Sequence, residues 1–165
     1  MNTDDRYAPP KAAVQDVTSH HDAAPPPLWN PGAAASWSLL FSPIFGALLH
    51  RKNWLALGDE QKAAQSKAWA IGSGAFYAVL LLVNVLLPDS KVQDAFGRSA
   101  GLALLVAWYY AIGKSQSGLV LARYGKNYPR KGWLKPLGIA VGVYVAFLLA
   151  AVLVGVVWGT VNGAG

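Results

Sequence analysis

Two short stretches of the chain share one pattern: Arg51-Lys52-Asn53-Trp54-Leu55 and Arg130-Lys131-Gly132-Trp133-Leu134. Both read Arg-Lys-x-Trp-Leu. Guanidinium and ammonium groups in such a run meet phosphate, while the indole settles at the depth of lipid headgroups. Two arrangements are open. The motifs are separate interfacial anchors, or the chain folds them together into one composite anion site. The second motif lies in the densest stretch, ARYGKNYPRKGWLKP, where Arg123, Lys126, Arg130, Lys131 and Lys135 interleave with Tyr124, Tyr128 and Trp133. Basic and aromatic interleaving can hold nucleic acid by phosphate contact and stacking. Placed between two apolar runs, it points instead to lipid or to a protein partner. The candidate interface is therefore Arg51, Lys52, Trp54, Arg123, Tyr124, Lys126, Tyr128, Arg130, Lys131 and Trp133. Its expected partners are anionic headgroups and a membrane protein, and no nucleic acid is expected.

Other chemistries find little support. The chain has no cysteine, so it offers no thiolate metal site and no disulfide framework. His20-His21-Asp22 and His50 are the conventional metal candidates, and neither has a carboxylate at ligand spacing on a shared helix face. No metal and no cofactor are expected. No Ser-His-carboxylate set, phosphate-binding glycine loop or H-E-x-x-H run is present. The chain reads as a non-enzyme.

The elements that must position these residues are apolar helices. Residues 137–161 run 25 positions without a charged side chain. About 20 apolar residues at roughly 1.5 Å rise cross a hydrocarbon core of about 30 Å. Hydrophobic residues make up 54% of the chain and charged residues 13%, about half the usual soluble share. The expected fold is an all-α membrane protein, a three- or four-helix transmembrane bundle with a disordered N-terminal tail. The tail covers 1–28 and the helical domain 29–165. Expected spans are 32–50, 68–87, 99–121 and 137–161.

The tail is rich in proline and alanine and carries acidic residues early, so it is neither a signal peptide nor a segment that can bury enough surface to order itself. Order is expected to begin at Leu28-Trp29-Asn30-Pro31, with Asn30 as helix cap and Pro31 in the first turn. The segment 32–50 contains Pro43, which removes one backbone hydrogen bond. A kinked spanning helix is the expectation there, with a re-entrant hairpin as the alternative. The second helix is expected to begin at Asp59 and stop at Pro88-Asp89-Ser90. The third runs continuously from about Val92 to Tyr124, ending at Gly125. The fourth starts just after Pro136. Glycine pairs spaced by four, such as Gly138 and Gly142, are expected to pack helices within the chain.

Orientation follows the basic loops. The 51–67 loop holds four Lys and Arg residues and the 114–136 loop six, against two in the 88–98 loop. Both basic loops are expected in the cytoplasm of a multi-pass protein. With four spans, both termini lie outside. With a re-entrant first segment, the tail is cytoplasmic and the C-terminus stays outside.

The residues Asn30-Pro31, Ser38-Leu39-Leu40-Phe41-Ser42-Pro43, Phe45-Gly46-Ala47, Asn53-Trp54 and Leu57-Gly58 resemble a loose group of uncharacterised bacterial inner-membrane proteins. Tyr124-Gly125, Tyr128, Trp133 and Pro136 extend the resemblance, which covers about 29–137. It implies a bacterial inner membrane and carries no activity or functional residue. The leading functional expectation is a small membrane protein that binds a membrane partner or anionic lipid through its basic-aromatic face. An immunity-type protein that shields a bacterium from a membrane-acting toxin is the alternative. A channel or transporter is disfavoured, because no span carries a buried carboxylate.

Overall fold

The computed structural model describes residues 24–86 and 91–162. The expectations for residues 1–23, and for the helix stop at Pro88-Asp89-Ser90, fall outside them. The described residues form α1 (Pro31–Phe41), α2 (Pro43–Ala56), α3 (Glu60–Leu86), α4 (Lys91–Trp108), one π-helical turn (Tyr109–Gly113), α5 (Lys114–Tyr124) and α6 (Leu134–Asn162).

Among the described residues three helices are long and apolar enough to cross a membrane: Glu60–Asn84, Ala95–Tyr124 and Leu134–Trp158. The first segment is not among them. α1 and α2 do not form one kinked helix; they fold back as an antiparallel hairpin. His50, near the end of α2, lies 3.2 Å from the carbonyl of Pro31, at the start of α1. The reason is the Ser42-Pro43 pair. A proline disfavours the helical conformation of the residue before it. Ser42 leaves the helix altogether, at φ 86° and ψ 161°. Pro43 then opens α2 at a position where its missing N–H costs nothing. The reversal leaves its own backbone satisfied, since Ser42 N donates to Ser38 O at 2.9 Å and Phe45 N to Ser42 O at 3.2 Å.

The hairpin closes tightly because Gly46 has no side chain. A Cβ there would strike the Ser38 hydroxyl and the Trp108 ring. Ala47, Ala70, Trp108 and Ile112 form the buried centre, flanked by Ile44, Trp69 and Leu105. α2 thus packs on α3 and on the π turn. Along α4, the π turn and α5, Trp108, Ile112, Gln116 and Val120 are buried at every fourth residue, with Gly113 buried beside Ile112. Four residues of α-helix turn about 400°, so such a stripe drifts off one face. The wider π turn slows the drift and keeps Trp108 and Gln116 facing the hairpin.

The local signals around these helices act as read. Asn30 Oδ1 accepts from Ala33 N at 3.2 Å, and Asp59 Oδ1 accepts from Lys62 N at 2.9 Å. Gly125 ends α5 at φ 61°. α6 differs in two ways. It starts at Leu134, with Pro136 inside its first turn, where a proline is tolerated. It also packs little on the rest: none of its most apolar stretch is buried. The spaces beside Gly138 and Gly142 are open, so these glycines do not serve packing within the chain.

Candidate functional site

The site begins with Asn53, fully buried near the end of α2. Its amide Nδ2 donates to the Trp29 carbonyl at 2.8 Å and to Gln116 Oε1 at 3.1 Å. Its Oδ1 accepts from Trp29 N at 3.0 Å. Gln116 Nε2 in turn donates to the His50 carbonyl at 2.9 Å. Three separate segments therefore meet at one buried amide pair: the extended segment at Leu28 and Trp29, the hairpin and α5. The Asn53 and Gln116 amides are themselves removed from water, so leaving one of their groups unpaired would cost about 1–3 kcal/mol.

The same extended segment also ties down the second basic loop. Leu28 N donates to Pro129 O and Lys131 N donates to Leu28 O, both at 2.9 Å, in an isolated parallel bridge. Leu28 is 0% exposed and belongs to the folded domain, where order is expected to begin. Its apolar side chain and its two backbone bonds outweigh the prolines before it. One residue on, Trp29 Nε1 donates to Gly132 O at 3.1 Å. The 125–133 loop is thereby held against the hairpin end.

This arrangement brings one residue from each Arg-Lys-x-Trp motif to the same ring. Lys52 Nζ lies 5.7 Å and Lys131 Nζ 4.5 Å from the centroid of Trp29. Cation–π attraction at exposed sites contributes about 0.5–1 kcal/mol. Among the described residues no carboxylate pairs with either lysine. The indole orients two ammonium groups without neutralising them. That combination suits an anion with several acceptor oxygens, such as a phosphate.

The remaining candidates divide. Arg130 lies over Tyr128 at 5.6 Å, and its guanidinium donates to the Lys126 carbonyl at 3.4 Å. Trp133 is half-buried and meets Trp37 of α1 at 6.5 Å between ring centroids. Arg123 sits over its neighbour Tyr124 at 5.5 Å, at the end of α5. Arg51 is half-buried and Lys126 exposed. Trp54 stands apart from the other candidates. It is 1% exposed and is not available to lipid or partner. The α2–α3 turn folds over it: Asp59 N donates to the Trp54 carbonyl at 2.9 Å, and Lys62 covers the ring at 4.5 Å.

Sequence reasoning missed Trp29, Asn53 and Gln116. A signal existed for Gln116, an uncharged amide in a helix otherwise apolar on that side. No such signal marks Trp29, whose role depends on a loop 103 positions away.

No family model, no curated protein and no solved structure matches this chain.

Proposed function

We propose that the chain is a non-enzymatic integral membrane protein that binds anionic lipid headgroups, and through them or beside them a membrane partner, with its basic-aromatic face. The observation that carries this reading is the convergence of Lys52 and Lys131 on Trp29 with no carboxylate paired to them among the described residues. Three apolar helices of spanning length supply the membrane context. The membrane is a bacterial inner membrane, and the basic stretches 51–67 and 114–136, helix ends with the short connections beside them, face the cytoplasm, following the excess of Lys and Arg. The hairpin then enters from the cytoplasmic side and returns to it, with the N-terminal tail inside and the C-terminus outside.

Replacing Arg51, Lys52, Arg130 and Lys131 by Gln tests the reading. Each basic residue contributes on the order of 1 kcal/mol near an anionic surface. The four-fold variant should lose most of its enrichment of anionic lipid, read by native mass spectrometry from mixed bilayers. Trp29→Ala keeps every charge but removes the shared ring, and should weaken the enrichment less. An unchanged lipid profile in the four-fold variant would make both motifs ordinary anchors.

A further inference from the structure

A groove of about 1040 Å³ opens between the hairpin, α3, α4 and α6. Its walls are apolar: Leu40 and Phe45 of the hairpin, Tyr77 of α3, Leu102 of α4, and Ile139 and Phe147 of α6 all line it. One charged residue lines it as well, Lys52, the lysine that shares the Trp29 ring with Lys131.

The groove has a direction and a depth. Along α6 its lining runs from Pro136 to Phe147. Eleven rises of roughly 1.5 Å make about 16 Å. That is half of a hydrocarbon core of about 30 Å, or one leaflet. The hairpin has the same reach, since the eleven residues of α1 carry the chain to its reversal at Ser42. The charged end lies near the start of α6, where Trp29, the ring under Lys52 and Lys131, donates from Nε1 to Gly132 O at 3.1 Å. The opposite end, at Phe41 and Phe147, has no charge. A slot of one-leaflet depth, apolar along its length and cationic at its mouth, is complementary to an anionic phospholipid. Its volume is at the upper end of the ~300–1,000 Å³ usual for pockets that take drug-sized ligands, so it has room for a long apolar occupant.

We infer that this groove seats a single diacyl phospholipid, its phosphate against Lys52 and Lys131 and its chains between the hairpin and α6. The inference rests on the lipid-binding reading above but goes further. It assigns one stoichiometric, slowly exchanging lipid, distinct from the loose anionic shell. The lipid also supplies what α6 lacks. α6 buries almost nothing against the protein, and acyl chains in the groove fill the space between it and the other helices.

The test uses the full chain in bilayers of mixed phosphatidylglycerol and phosphatidylcholine, extracted in mild detergent for native mass spectrometry. The unaltered protein should keep one phosphatidylglycerol per chain after detergent has stripped every other lipid. Ala78→Phe and Ala140→Trp place rings in the groove and touch no basic residue. Each should lower the retained fraction roughly tenfold or more, because a ring leaves no room for the chains. Lys52→Gln leaves the groove open. It should reduce the preference of the retained lipid for phosphatidylglycerol about fivefold, the equivalent of ~1 kcal/mol for one lysine. Retention of no lipid by the unaltered protein overturns the inference. So does an undiminished retained lipid in the two ring variants, or pairing of chains through the groove without lipid. Enrichment of the loose anionic shell is scored separately. It should survive in the ring variants and fall in the four-Gln variant, so failure of the groove and failure of the basic face give different results.

Discussion

Asn53 and Gln116 lie 63 positions apart in the chain and meet through one hydrogen bond of 3.1 Å, both fully buried. This amide pair couples the hairpin to the third long helix. Asn53 also bonds both backbone groups of Trp29. Asn53→Ala should therefore lower stability more than Gln116→Ala, by about 2–4 kcal/mol against about 1–3, since it strands more buried polar groups. The double variant should cost clearly less than the two effects added, because the partners share one network. Thermal or denaturant unfolding in detergent gives the values. Simple additivity would mean that the two amides act independently.

The hairpin predicts a distance. Spin labels at Gly32 and Lys52 sit at its open end, where His50 reaches Pro31. A straight helix would separate positions twenty residues apart by about 30 Å. Pulsed electron resonance should give a much shorter separation. A peak near the straight-helix value would restore the kinked spanning helix.

Ser42 holds a backbone conformation that is essentially reserved for glycine. Ser42→Gly should stabilise the fold by about 1 kcal/mol and leave the spin-label distance unchanged. Pro43→Ala acts in the opposite sense, because it frees Ser42 to continue the helix. Its distance distribution should broaden toward longer values.

Two glycines give a matched comparison. Gly46→Ala pushes a methyl into Ser38 and Trp108 and should destabilise by about 1–3 kcal/mol. Gly72 is also helical but has open space beside it, so Gly72→Ala should stabilise slightly, by up to about 1 kcal/mol. Equal melting temperatures for the two variants would remove Gly46 from the close contact.

The orientation follows from the basic loops. The chain has no native cysteine, so single cysteines report cleanly. Cysteines at Lys62 and Lys126 should resist an impermeant thiol reagent in intact cells, and one at Lys91 should react. Labelling at 62 or 126 would reverse the assignment.

Local physics was enough for most of the elements. Asn30 before Pro31, Asp59 before a run of helix formers and Gly125 after one mark helix ends, because each acts on backbone groups within a few residues. The apolar run from Leu137 onward needs only its length to mark a helix able to cross a membrane. The sequence also determined that basic and aromatic residues cluster in two stretches, which the fold places at the end of α2 and from α5 into the loop before α6. The fold of the first segment was not decided there, because Ser42-Pro43 breaks a helix equally well for a kink and for a reversal. Contacts of His50 with Pro31, and of Gly46 with Ser38 and Trp108, select the reversal. Tertiary structure alone also buried Trp54, while its counterpart Trp133 remained half-buried. It brought Lys52 and Lys131 to one indole that belongs to neither motif. These outcomes depend on which distant segments close on one another. Periodicity and capping report on neighbours along the chain and are silent about that.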